Sequence, residues 1–331
     1  MPKQLMLDND IVEIENLGAF YKSMPARLLE NNLQVQALRT NTLLHKDEWE
    51  LLDRRVIQIS ANVMNAIADL QALGLTTQLG GLGVLISQYE QVSDMTDANV
   101  NMAVETDDEE DRLNFPLVGV PVPIISKGFR IDARSLAATR RNGGALDTTH
   151  IDTATRKVAE KLEEIFFLGS AVVQRGLSIP GVLTHASRNV VSGGASWATA
   201  TNVYPNVLAM VAALQGDNFY GPYRLYLNPA QYIQTFALTA NTSQAVVESV
   251  MRLPGFGPGS IKASSYVTAG QAVLINMTSD VVDLAVGQDI VPVEWETKGG
   301  LVTNYKVLCA EIPRIKSDAA GRSGIAHLSG I

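Results

Sequence analysis

At 331 residues the chain exceeds what one compact core comfortably organises, so about two modules are expected. Hydrophobic residues make up 46% and charged residues 18%, against about 25% charged in ordinary soluble domains; a surface partly covered by other subunits fits this profile, and so does an apolar enzyme. The formal charge of −8 argues against a dedicated nucleic-acid binder held on phosphates, and the single cysteine, Cys309, excludes an internal disulfide framework and a cysteine metal cluster.

Residues 1–46 hold few apolar clusters and read as an arm that needs partners to order it. No basic end followed by an apolar block marks a secretory signal, and no run approaches the roughly 18 apolar residues of a membrane helix. The spacing predicts a helix from Asp47, with Trp49, Leu52, Val56, Ile59, Val63, Ile67 and Leu70 on one stripe. Gly74 ends it, and LGGLGVL around Gly80, Gly81 and Gly83 turns the chain. From Val84 to Arg130 helical periodicity vanishes and a partly exposed two-stranded ribbon is expected. Pro121 and Pro123 each lack an amide donor, so LVGVPVPII is not a central strand. Such an excursion is marginal in water on its own, and a neighbouring subunit is expected to cover it.

Within the ribbon lies the densest charge, ETDDEED, with Glu105, Asp107, Asp108, Glu109, Glu110 and Asp111. It lacks the register of a calcium loop. It reads either as a solvated turn or as a docking strip for basic residues of another chain. Lys127, Arg130, Arg134, Arg140 and Arg141 form a basic cluster nearby in sequence, with the same two readings.

A long helix follows. Thr148 and Thr149 are hydroxyl caps, Ile151, Thr155, Val158, Leu162 and Ile165 recur at helical spacing, and Gly169 stops the run. Lys157, Glu160, Lys161 and Glu164 take the opposite face. Residues 176–285 read as an α/β module with helices at Asn206–Leu214, Ala230–Leu238 and Gln244–Leu253. Its strands are RLYLNP, IKASSYV, QAVLINM and DVVDLAV. PGFGPGS, with Gly255, Phe256 and Gly257, is a turn or a pore-lining loop. The tail returns through VPVEWET, a turn at Lys298–Gly300, and LVTNYKVLCAEIPRI, a β-hairpin by pattern.

Catalytic signatures are missing. Gly80, Gly81 and Gly83 are not followed by the rest of a dinucleotide fingerprint, and no GxxxxGK[ST] occurs. His45, His150, His185 and His327 have no metal-ligand spacing, and the serine of GRSGI is not centred in a nucleophile elbow. Cys309, in the strand-like KVLCAEI, reads as a buried small hydrophobe. No catalytic, cofactor or metal residue is expected.

DEWELLDRRVIQIS, VPVPIISKGFRIDARSL, the Asp-Thr-rich helix start, KLEEIFFLG and GLSIPGV together resemble tailed-phage major capsid proteins of the HK97-like fold, and the related encapsulin shells. The order of parts matches over nearly the whole chain. The resemblance implies an α+β fold with an N-terminal arm (1–46), a helix and turn (47–83), an extended β-hairpin loop (84–130) over an adjacent subunit, and a peripheral domain with the spine helix (131–175). An axial domain (176–285), a peripheral-domain β-hairpin (286–315) and a C-terminal return to the axial domain (316–331) complete it. It further implies pentamers and hexamers closing an icosahedral shell around a phage genome, in a virion capsid assembled in the host cytoplasm. The arm is too short for a cleaved scaffolding segment, so scaffolding is either a separate protein or unnecessary; a separate scaffolding protein is expected, with a portal, room for a decoration protein, and weak non-specific contact with packaged DNA. Lys127 is the only lysine between Val84 and Arg130 and sits at the loop's base, so lysine–asparagine crosslinking is not carried over. The runner-up is an encapsulin-like compartment enclosing cargo enzymes, and a metabolic α/β enzyme is third.

Overall fold

The structure is a computed structural model describing residues 64–91, 93, 95, 113–132, 149–192, 194–238, 244–298 and 301–331, with positions 55, 56, 58 and 59 and the backbone of 4–7 and 10–13. The acidic stretch Glu105–Asp111, and Arg134, Arg140 and Arg141, lie outside the described residues. Strands β1 (Gln4–Leu7) and β2 (Asp10–Glu13) pair antiparallel within the arm.

The helix expected from Asp47 through Leu70 is not one element. Positions 55, 56, 58 and 59 are helical, but Met64 and Asn65 interrupt the run before α1, Ala66–Ala72. The reason is a cap from elsewhere: the Glu163 carboxylate accepts from the backbone N–H of Asn65 (3.3 Å), Ala66 (2.9 Å) and Ile67 (3.3 Å). First-turn amides satisfied by a distant carboxylate need no preceding turn. After Gly74 come β3 (Thr76–Gln78), β4 (Ile86–Glu90), β5 (Leu117–Pro121) and β6 (Ile125–Asp132). β4 and β5 form a two-stranded antiparallel ribbon.

The long helix α2 spans Thr149–Leu168. Its apolar face, Ala154, Val158, Leu162, Ile165 and Phe166, is fully buried, while Lys157–Glu160 and Lys161–Glu164 pairs line the wet face. Strands β7 (Gly169–Gln174) and β8 (Leu177–Pro180) then form a hairpin that was not anticipated, turning at Arg175 and Gly176, both with positive φ. It folds back so that Val182 and Leu183 donate to the carbonyls of Phe166 and Phe167, satisfying the end of α2. Gly169 and Gly181 make that approach possible: a Cβ on either would meet backbone atoms of the other's segment closer than 3.0 Å.

Next come β9 (Asn189–Val191), α3 (Val203–Gly216), β10 (Tyr223–Leu227), α4 (Pro229–Gln234), α5 (Val246–Met251), β11 (Ile261–Ala263) and β12 (Gln271–Asn276). DVVDLAV and VPVEWET, expected as separate strands, form one 16-residue strand, β13, Val282–Thr297. It pairs antiparallel with β14 (Val302–Ile315), with irregularities at Val286/Gln288 and Gln288/Val291. These bulges bend the strand without ending it. The expected boundary at 285 therefore falls inside β13, because Val282–Ala285 pair with Ile312–Ile315.

Two sheets organise the chain. One has the order β3-β13-β14-β6, and the other, β11-β10-β12-β15-β9, takes in the tail strand β15 (Ile325–Ser329) between β12 and β9. The larger core joins α1, α2, the four-stranded sheet and one face of β12; a second core packs α3 and α5 on the five-stranded sheet. Among the described residues no helix is long and apolar enough to cross a membrane.

Candidate assembly surfaces

The two faces of the ribbon differ. One is tied to its own chain: Tyr89 Oη donates to the Ile315 carbonyl (3.2 Å), Gln91 Nε2 to the Ser317 carbonyl (3.0 Å), and Arg314 Nη1 to Ser87 Oγ (2.9 Å). Arg314 is itself held by Asp283, through Nε to Oδ1 at 2.7 Å and a second bond from Nη2 to Oδ2. Its Nη2 also reaches Thr77 on β3 (2.9 Å), and Lys316 Nζ lies 3.0 Å from Asp283. Burial alone would push the Asp283 carboxyl up, but its bonds to Arg314 and Lys316 outweigh this and hold it below the usual range. One buried ion pair thus joins β3, β4, β13 and β14.

The opposite face carries Gly119 against Leu177 of β8, then an alternating row of Leu117, Phe115 and Leu113, 63%, 50% and 41% exposed. Strand pairing persists beyond β4, with Gln91 donating to Pro116 and Ser93 to Asn114, so the row sits on ordered backbone. An apolar row of this kind on a solvent-facing ribbon is a candidate contact surface.

A second buried network was not legible in the sequence. Asp69 on α1 accepts from Tyr226 Oη (2.8 Å) on β10 and Lys262 Nζ (2.8 Å) on β11. With Glu163 on α2 capping the same short helix, α1 couples α2 to the five-stranded sheet. Burial raises the Glu163 carboxyl, and the three amides offset only part of that. The available signal was the position of Glu163 on the apolar stripe, beside Leu162 and four residues after Ala159.

Of the remaining expected residues, Lys127 and Arg130 are exposed on β6. Phe256 is half-buried against the second core, its ring 5.6 Å from Tyr223, and the Gly255 carbonyl accepts from Tyr223 N (2.8 Å). Gly257 is partly exposed, and Pro258 and Gly259 form the exposed apex of that loop. Cys309 is fully buried, and burial together with the charge of Glu311 pushes its thiol well up. Among the described residues no group of three or more His, Cys, Asp and Glu side chains could hold a metal ion.

The same architecture recurs in known shells. The chain is 24% identical over 251 residues to the type 1 encapsulin shell protein EncA of Myxococcus xanthus, covering 75% of this chain and 82% of the relative. In structure it is similar to the virus-like particle protein of Pyrococcus furiosus (TM-score 0.61, 18% identity, 85% of this chain and 99% of the other). It also aligns with the capsid of Myoviridae phage XM1 (TM-score 0.60, 10% identity, 79% and 92%). The fold is the α+β HK97-type capsid fold. Residues 37–328 match the family of unknown function DUF6260, and the chain belongs to that family.

Proposed function

We propose that the chain is a major capsid protein, copies of which assemble through pentamers and hexamers into a closed icosahedral shell around a phage genome. The observation that carries this is the ribbon: one face is bonded to its own subunit, and the other presents Leu113, Phe115 and Leu117 to solvent. Closed symmetry covers every such row with a neighbour and leaves no free edge. The similarity to phage-capsid and virus-like-particle structures supports the reading. A virion location, assembly in the host cytoplasm, a separate scaffolding protein, a portal, a decoration protein and weak non-specific DNA contact are the finer parts of the proposal. A wall of net charge −8 repels packaged phosphates and suits a lining to which DNA does not stick.

A second reading, a nanocompartment enclosing cargo enzymes, is favoured by the similarity to the Myxococcus xanthus shell protein. Light scattering and negative-stain microscopy of the purified protein, with and without scaffolding protein and over a range of salt, test assembly itself. Monomers and dimers throughout would refute both readings. Packaged DNA supports the capsid, and a co-purifying enzyme the compartment.

A further inference from the structure

We propose that the loop before β9 and the tail strand β15 form an acid-released latch, in which protonation of His185 and His327 beside Arg188 frees residues 185–191 and uncovers the flank of β15. Arg188 Nε donates to Nδ1 of His327 on β15 (3.3 Å), and its Nη1 donates to the carbonyl of His185 (2.8 Å). His185 Nδ1 in turn accepts from the Ser187 amide (3.2 Å). Around them Ser323 Oγ donates to the Ser187 carbonyl (2.7 Å) and Asn189 Nδ2 to the Ser323 carbonyl (3.2 Å). The device belongs to the single subunit and does not depend on assembly.

Both rings serve as acceptors, which only a neutral imidazole can do. With Nδ1 taken by a donor, the one proton of neutral His327 sits on Nε2, which is buried and has no hydrogen-bond partner among the described residues. A second proton goes to Nδ1 and sets it, donor against donor, before the Arg188 guanidinium. On His185 the same proton opposes the Ser187 amide. The two histidines are 9% and 7% exposed, so neither can turn a new charge to water without moving the chain. Burial, and after it the charge of Arg188, already hold both imidazoles below the ordinary histidine value.

The elements packed around the two rings bring little to offset the added charge. β9 and β12, which flank β15, carry no ionisable side chain, and β15 has none besides His327. The loop is bonded through Val182 and Leu183 to the last turn of α2, Ile165–Leu168, which is wholly apolar. On the opposite face of the sheet α3 offers only Tyr204. Asp217 is engaged by Asn189 (2.7 Å), and Asp318 by Arg322 (2.5 Å). What then holds the segment is the bonds of Asn189 and Ser323 and a ladder of three residues, Asn189–Val191 on Ala326–Leu328. Its release leaves β15 with an open edge, a template for another strand.

Because both groups titrate below their unfolded value, the latch is fully closed above about pH 6.5 and opens as pH falls from there through the lower folded values. The test is hydrogen–deuterium exchange of the full wild-type chain between about pH 7.5 and about pH 5, corrected for intrinsic exchange. Peptides covering 185–191 and 325–329 are expected to lose protection about tenfold or more, while α2 keeps its own. His185→Asn/His327→Asn retains an acceptor for Ser187 and Arg188 but no titratable ring, and should abolish the acid response. Unchanged protection of 185–191 in the wild type, a loss shared with α2, or an acid response that survives in the double variant overturns the proposal. Should that variant fail to fold, NMR titration of the wild-type chain decides. A midpoint shared by His327 and the Val190 amide, below about pH 6.5, supports the latch; separate midpoints, or one at or above that value, overturn it.

Discussion

Replacing Arg314 with methionine removes the centre of the ribbon's anchor while keeping much of the apolar stem. Arg314 and Asp283 are 5% and 3% exposed, and the guanidinium makes four hydrogen bonds, to Asp283 twice, Ser87 and Thr77. Deleting one partner of a buried ion pair costs roughly 3–5 kcal/mol, because the other charge stays buried. Here Lys316 remains 3.0 Å from Asp283 and Thr77 Oγ1 still donates to it (3.0 Å), so the expected loss is near 3 kcal/mol. Removing both charges in Asp283→Asn/Arg314→Met should return most of that, leaving about 1 kcal/mol of deficit. The assay is urea unfolding of the unassembled subunit at pH 7 by circular dichroism, run as a double-mutant cycle. Asp283 titrates below its usual value, so its contribution is present above that value and lost as pH falls through the lower folded one. The gap between wild type and Arg314→Met should therefore shrink below about pH 4. A single variant within about 0.5 kcal/mol of wild type, or a double variant as unstable as the single, would refute the reasoning.

Glu311 is 1% exposed, one carboxylate oxygen lacks a partner, and burial with the nearby Asp289 pushes its carboxyl up to about 8. A raised carboxyl stabilises fully below its unfolded value and loses that as pH rises through the folded one. Glu311→Gln should thus gain on the order of 4 kcal/mol over wild type at pH 8 and little at pH 4, read as a difference in melting temperature; a pH-independent difference would contradict it. Val158→Pro, in the buried face of α2, removes a helical hydrogen bond and clashes with the preceding turn. It should cost about 3 kcal/mol or more, and a soluble, assembling variant would count against the helix assignment. Gly181→Ala drives a Cβ into the backbone of Phe167, Leu168 and Gly169, so soluble yield should fall sharply; a normal yield would show that the close approach is not required.

How much of this was legible depends on the range of the forces involved. The span of α2 and its stop at Gly169 follow from local periodicity and from a glycine with φ of 79°. The ribbon was readable because Pro121 and Pro123 bar a central strand, and among the described residues β5 pairs with β4 alone. The break before α1 was not readable, because its cause is a carboxylate 97 positions away. Nor was the union of two expected strands into β13, since periodicity is lost at a bulge while pairing to β14 continues.

The placement of β15 carries a consequence for the order of folding. Among the described residues Asn189–Val191 of β9 pair only with Ala326–Leu328, and Val190 is 57% exposed even in the finished sheet. Until Ile325–Ser329 has been synthesised, β9 has no partner in its sheet and β12 has an open flank beside Gln271–Ile275. Pairings this distant in sequence form late, because loop closure must come before any contact rewards it. The nascent chain therefore holds two unpaired strand edges while its helices are already able to form. Insertion of β15 closes both edges at once. A subunit that completes this step late is the one most exposed to pairing with the wrong chain through those open edges.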